Sequence, residues 1–477
     1  MSTRRPNRPK RTLPWQRRIR RWVWAFALLV CAPLLALLIV RAVLADRVRD
    51  RQARLQALGY ATQEALPESV QEDAALSSPF VTASEALKVL PHDRRSILPF
   101  IGYESPHIAR PAGMTGEEIQ LARQVVTDNT SAMALLDAAA RSTDGLPALS
   151  IYTARDFYRA VMHELVNHLR LDLCLALQDG NTERLYAGLE TALYLLRFEN
   201  AQNRLDWMEG EIANLAAPLL GISLAARTLS EAQLAQLDAI LAEINLDASM
   251  RASMDAAIAR GQRLDSPFIG LRGSVMELTG MMDHQRAASL DLLCVTAECV
   301  RDHAPLQWYP QLGPALDAHL NRGNDRLTNY LTHTTAGTLR NQLQRTLNIR
   351  WWIEVMRCAI AIERHRLAHG TLPPSLDVLA PGLLDHVPLN PVGGQPLEYS
   401  TAGEAFTLAS TKLPFPARYG RNQWIYEVSK SAFDPELRKR EGQVVKPAGG
   451  RERAGRSLAR ELQRRREDRG AAASNPL

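Results

Sequence analysis

The sequence predicts a mainly α protein: one N-terminal transmembrane helix, a helical bundle or helical-hairpin array, and a small C-terminal α+β module with a β-hairpin. Three observations point there. Aromatic residues make up only 6% of the 477-residue chain while Ala, Leu and Arg abound, a composition that favours helices over a sheet sandwich. An uncharged apolar run, WVWAFALLVCAPLLALLIV, extends from Trp22 to Val40. Near the C-terminus, LEYS and AFTLAS flank a TAGE turn, the pattern of a short hairpin.

The apolar run comes first. As a helix it reaches about 30 Å, the thickness of a bilayer hydrocarbon core. Trp22 and Trp24 suit an interfacial aromatic belt, and Pro33 is tolerated in a lipid-embedded helix. Nine cations and no acid lie in residues 1–21, whereas Asp46 and Asp50 accompany the arginines beyond Arg41. The positive-inside rule therefore puts the N-terminus in the cytoplasm and the bulk of the chain on the periplasmic or extracellular side of the inner membrane. A signal peptide cleaved near Val43-Leu44-Ala45 is the competing reading, but the run exceeds a normal signal core and Arg41 interrupts the approach to the site. Val30 before Cys31 does not fit a lipobox, and Arg17-Arg18 lacks the apolar residues that follow a twin-arginine signal.

The organisation that follows is a basic N-terminus (1–21), the transmembrane helix (22–44), a juxtamembrane helix and loop-rich connector (45–113), a helical ectodomain (114–350), an α+β module (351–430) and a disordered basic tail (435–477). Prolines 67, 79, 91, 99, 106 and 111 break up the connector, which keeps one short helix near Ala83–Leu90. Apolar periodicity and start signals then predict helices over 116–141, 153–178, 182–199, 203–227, 231–244 and 248–261. Ser230-Glu-Ala-Gln233 is a capping box, and DGN at 179–181 marks another start. Short connections make these helices antiparallel neighbours. Residues 262–335 read as less regular, with LDSPFIGLRG and HAPLQWYPQLGP as loops and Trp308 and Tyr309 as a plug over the core in preference to a partner-binding edge. A long helix runs from about Thr338 to His369. The tail holds twelve cations against six acids, which leaves the body between the termini with a net charge of about −9 within the overall +6.

Candidate chemistry is sparse. HELVNH, from His163 to His168, imitates the zincin signature, but its second histidine comes one residue late. Five residues on a helix separate the two rings by about 140°, so they cannot share a metal, and Glu164 with His168 reads as an exposed carboxylate–imidazole pair. His365 and His369 do have the chelating i, i+4 spacing. Arg366 stands where a zincin needs its Glu, however, and Gly370 makes this a helix C-terminus where histidine suits the dipole. The expectation is no catalytic, cofactor or metal residue, with this pair as the only coherent ligand candidates. G-x-x-x-x-G at 450–455 followed by Arg456-Ser457 lacks the P-loop lysine and its β-α setting. Cys174, Cys294, Cys299 and Cys358 sit in apolar helical runs and read as buried thiols, although spacing leaves a long-range disulfide open.

Residues 361–410 carry Glu363, Gly370, Pro373, Pro388, Pro391, Gly394, Pro396, Tyr399 and Ser410 in step with a known pattern. The segment resembles the C-terminal half of the major pseudopilins of type II secretion, in which a helix is followed by a Pro-rich loop and a strand ending in Ser. His365 stands where that family has an aromatic residue and Asn390 where it has Asp, and the N-terminal helix lacks the Gly-Phe-x-x-x-Glu processing pattern. The resemblance implies a fold for this module and no catalytic residue. The whole chain is similar to bacterial single-span membrane proteins with a long helical ectodomain. A protein-interaction or scaffolding role in the envelope is therefore expected, rather than an enzyme. The alternatives are a metal-dependent envelope hydrolase built on His365 and His369, or binding to cell wall or anionic lipid through the tail. Expected partners are the membrane and envelope or secretion-system proteins, with no nucleic acid and no cofactor.

Overall fold

A computed structural model describes residues 14–60, 79–88, 116–142, 154–201, 207–262, 281–321, 330–392, 394–410 and 425–428. Most of the connector, the segment LDSPFIGLRG and the basic tail lie outside them. The described chain is mainly helical, with α1 Pro14–Ala57, α2 Pro79–Ala86, α3 Gly116–Asp128, α4 Thr130–Arg141, α5 Ala154–Gln178 and α6 Thr182–Ala201. Then follow α7 Trp207–Ala225, α8 Glu231–Ala242, α9 Leu246–Gly261, α10 Met281–Asp302, α11 Pro305–Asn321 and α12 Tyr330–His369. A 3-10 turn at Leu376–Leu379 leads to β1 Glu398–Ala402, β2 Ala405–Ala409 and β3 Ile425–Val428. The chain forms two compact units: one from residues 1–63, 255–303 and 311–341, the other from 64–254, 304–310 and 342–477.

In the first unit α1 is one unbroken helix. From Trp22 onward it is long and apolar enough to cross a membrane. Its apolar side chains face outward all round, with Trp22 at 76% and Leu29 at 75% exposure, the opposite of a helix that belongs to a soluble core. Beyond Arg41 the character changes. Leu55 is fully buried, Arg51 pairs with Asp291, and Arg54 Nε donates to Glu298 at 2.8 Å, so this half of α1 lies on α10. Buried Gln285 of α10 accepts from the Leu331 N–H at 3.0 Å, satisfying one of the orphan donors at the start of α12.

The second unit is built around α5. Met162, Leu165, Val166, Leu169 and Leu173 are buried, and so are Leu171, Cys174 and Leu175, which pack with Ala122 and Val125 of α3. The α5 helix touches α2, α3, α4, α6 and α7. Being covered on so many sides, it is apolar over more than one stripe. Edge-to-face packing of Phe80 on Phe198, centroids 4.9 Å apart, joins α2 to α6. The Ser230 capping box that opens α8 is present, with the side chain accepting from Gln233 N at 3.3 Å and Gln233 Oε1 accepting from Ser230 N at 2.9 Å. Asn181 and Asn245 cap the following helices in the same manner, through Arg184 N at 3.0 Å and Ala248 N at 3.1 Å.

Several expectations need correction. The single helix over 116–141 is two, α3 and α4, broken at buried Asn129. Its side chain donates to Val125 O at 2.9 Å and accepts from Lys88 N at 2.6 Å, so a local amide bond competes with the helical ladder and also ties down the end of α2. HAPLQWYPQLGP is no loop but the start of α11: Pro305 opens the helix, where a missing N–H costs nothing, and burial of Trp308 (0% exposed) carries the turn past Pro310. Trp308 is the core plug expected of it. The long helix α12 starts at Tyr330 rather than near Thr338.

The C-terminal sheet has the order β1-β2-β3, all antiparallel. The expected hairpin is there, closed by Ala402↔Ala405, and β3 is an addition that the sequence reading missed. Tyr426 of β3 is buried and donates to Ala217 O of α7 at 2.8 Å, which docks the sheet on the helical body. The preceding loop explains the Pro-x-Asn-Pro spacing: Asn390 Oδ1 accepts from Val392 N at 3.0 Å, Asn390 O accepts from Gly394 N at 2.8 Å, and Gly394 takes φ +65°. Tyr399 closes the module by donating to Pro373 O at 3.0 Å.

Candidate functional site

Polar chemistry in the second unit gathers where the C-terminal half of α12 meets α8. Arg364 Nε donates to Glu231 at 2.7 Å and Nη1 lies 3.7 Å from Asp238. Two turns earlier, Arg357 Nε donates to the other Asp238 oxygen at 3.3 Å, and its Nη2 lies 3.5 Å from Asp385 of the module. Two turns earlier again, Arg350 pairs with Asp247 and, at 3.6 Å, with Glu354. Each step of seven back along α12 meets a step forward along α8 and into α9, the signature of antiparallel helices in a fixed register.

Burial sets the charges in this ladder. It raises the Asp238 carboxyl above its ordinary range, against the opposing pull of Arg357 and Arg364. The same desolvation raises Glu354, which Arg350 only partly offsets. Folded Glu354 therefore holds its proton more tightly than unfolded Glu354 does. Its contribution to stability is complete in acid below the ordinary carboxylate value and is lost as pH rises through the raised one. Glu354→Gln is accordingly expected to gain stability over the native chain as pH rises from about 4 towards 7. Thermal melts of both proteins across that range check this, and a gap that shrinks with rising pH would show that pairing, not burial, dominates.

At the C-terminal end of the ladder an open cleft of about 530 Å³ is lined by Glu231, Arg364, His365, Leu367, His369, Val378 and Leu383, among others. The His365 and His369 rings stack there, 4.2 Å apart and 21° from parallel. His369 Nδ1 donates to His365 O at 3.0 Å and His365 Nδ1 to Thr371 O at 3.2 Å, so both rings satisfy carbonyls at the helix end. Gly370 follows at φ +75° and donates to Arg366 O at 2.8 Å, the left-handed turn expected after a helix. Arg366 is turned onto Glu363, with contacts of 2.7 and 2.5 Å, and this bond holds it in the charged form.

The other sequence candidates separate. His163 Nδ1 meets Asn167 Nδ2 at 2.9 Å, whereas His168 is buried and its Nδ1 donates to the Glu164 carbonyl at 2.8 Å. The exposed Glu164–His168 pair is thus corrected: the ring returns to the main chain because α5 is covered on that side too. Among the described residues no group of three or more His, Cys, Asp or Glu could hold a metal ion. Cys174, Cys294, Cys299 and Cys358 are free and buried, and desolvation pushes the thiols up, to about 12 for Cys174 and about 11 for Cys299, far from a reactive thiolate. The P-loop-like segment at 450–457 lies outside the described residues. The ion ladder escaped the sequence reading, since its partners stand 119 and 133 positions apart.

No protein family, curated protein or solved structure matches the chain.

Proposed function

We propose that the protein is a membrane-anchored envelope scaffold. On this reading α1 crosses the inner membrane with the N-terminus in the cytoplasm, and the C-terminal module, pseudopilin-like in its loop and hairpin, binds an envelope or secretion-system protein. One observation carries the proposal. Outside α1, the large apolar side chains most exposed among the described residues are Leu135, Val295, Leu367 and Val378, and the last two line the same cleft. A single exposed apolar residue is ordinary, but two around one preformed depression, at 42% and 52% exposure, make a surface that a partner can cover. The ladder to α8 supports the same reading, because it fixes one wall of the cleft before any partner arrives. The orientation rests on nine unopposed cations ahead of Trp22.

Photocrosslinking of the full-length protein in native membranes tests this. A crosslinker at Val378 is expected to trap a discrete protein adduct that the same group at exposed Glu183 does not trap. Equal, diffuse products from both positions would overturn the assignment.

A further inference from the structure

We propose that His365 and His369 form a two-point chelating site for a divalent transition metal with imidazole preference, with Cu²⁺ bound most tightly and Ni²⁺ and Zn²⁺ more weakly. Residues four apart on a helix lie on one face, and here the two rings are already in register, stacked 4.2 Å apart. Each Nδ1 donates to a backbone carbonyl. In the neutral ring that leaves Nε2 as the nitrogen with a free lone pair, and a second bond that fixes the tautomer is how metal-binding histidines are held. A metal about 2.0–2.1 Å from each nitrogen needs them about 3.3 Å apart in tetrahedral geometry with both in-plane lone pairs aimed at it, so binding turns the two rings out of their stack and towards a common point.

Arg366, next to His365, is a cation that would oppose a bound dication if it faced the site. In the fold that cation is spent on Glu363, and Arg364 is likewise spent on Glu231 and Asp238, so neither guanidinium is left to repel a dication. The cleft of about 530 Å³ opens to solvent, leaving room for water on the remaining coordination positions. Since no third His, Cys, Asp or Glu joins the pair among the described residues, the ion would keep an open side. The affinity order follows from the ligand type, because two imidazoles with open positions follow the general series that peaks at Cu²⁺.

The test uses full-length protein in detergent, stripped with EDTA and dialysed, and titrated calorimetrically with CuCl₂, NiCl₂ and ZnCl₂. One equivalent of Cu²⁺ should bind in the native protein. His369→Gln, at an exposed position, and His365→Gln should each weaken binding by about ten-fold or more, while His163→Gln leaves it unchanged. Copper electron paramagnetic resonance should show coupling to two imidazole nitrogens, lost in His369→Gln. A purely capping role would instead leave metal binding untouched by these substitutions. The inference is overturned by the absence of saturable binding at millimolar metal, or by binding that survives His369→Gln with its coupling intact.

Discussion

Deleting Trp22–Val40 is expected to move the protein from the membrane fraction to the soluble fraction, the largest effect that any change in this chain should have. About twenty apolar residues that face outward on every side have no protein surface to cover them, as the exposure of Trp22, Phe26, Leu29 and Leu35 shows. In lipid that exposure is favourable, and in water it drives aggregation. A milder version is Leu35→Arg, placed near the middle of the span, where an arginine costs about 2.5–3.5 kcal/mol on insertion scales. Fractionation with alkaline extraction measures both. If the deletion variant still pellets after extraction, the anchor lies elsewhere. Unit one should tolerate the deletion, because its contacts with α1 begin beyond Arg41, at Arg51, Arg54 and Leu55.

Asp238→Ala comes second. It removes the one carboxylate shared by Arg357 and Arg364, whose side chains are only 19% and 21% exposed. Removing it leaves Arg357 with only the exposed Asp385 and Arg364 with only the half-exposed Glu231, and should cost about 3 kcal/mol, or roughly 6–12 °C in melting temperature for a unit of this size. Glu231→Ala is the control. That partner is half exposed, at 52%, and solvent screening should hold its loss below about 1 kcal/mol. Differential scanning calorimetry of both variants decides the matter. Equal losses would mean that the ladder is held by its outer pair and not by Asp238.

The apolar segment of α1 and the Asp238 pairings are not equally visible in the sequence. The span is local: its length, its lack of charge and the clustered cations before it are contiguous, so α1 was legible at once. So was the Ser230 capping box, which needs four residues, and the hairpin around Gly403. Asn129 was not, because nothing in a helical pattern reveals that an amide will prefer Lys88 N to solvent. The α11 helix was hidden by punctuation: three prolines argued for a loop, and the burial of Trp308 that outweighs them exists only in the fold. For β3, four residues beside a basic stretch gave too short a pattern, and Tyr426 earns its place through a carbonyl more than two hundred positions away. In the cleft, the histidine spacing was visible and the surroundings were not. Whether Arg366 faces its neighbour or the site depends on Glu363, three residues back, and the sequence permits either.

The α8–α12 ladder has a mechanical consequence. Arg350, Arg357 and Arg364 recur every seven residues, about 10.5 Å of helix, and Glu231 and Asp238 match that spacing on α8, so the two helices engage like toothed racks. A slide of one turn, about 5.4 Å, would set Arg357 and Arg364 between teeth. A slide of two turns would re-mesh Arg357 with Glu231 and Arg350 with Asp238, while stranding Arg364 past the end of the rack. Any sliding of α12 along α8 is therefore stepped, and the cleft at its end advances by whole teeth or stays where it is.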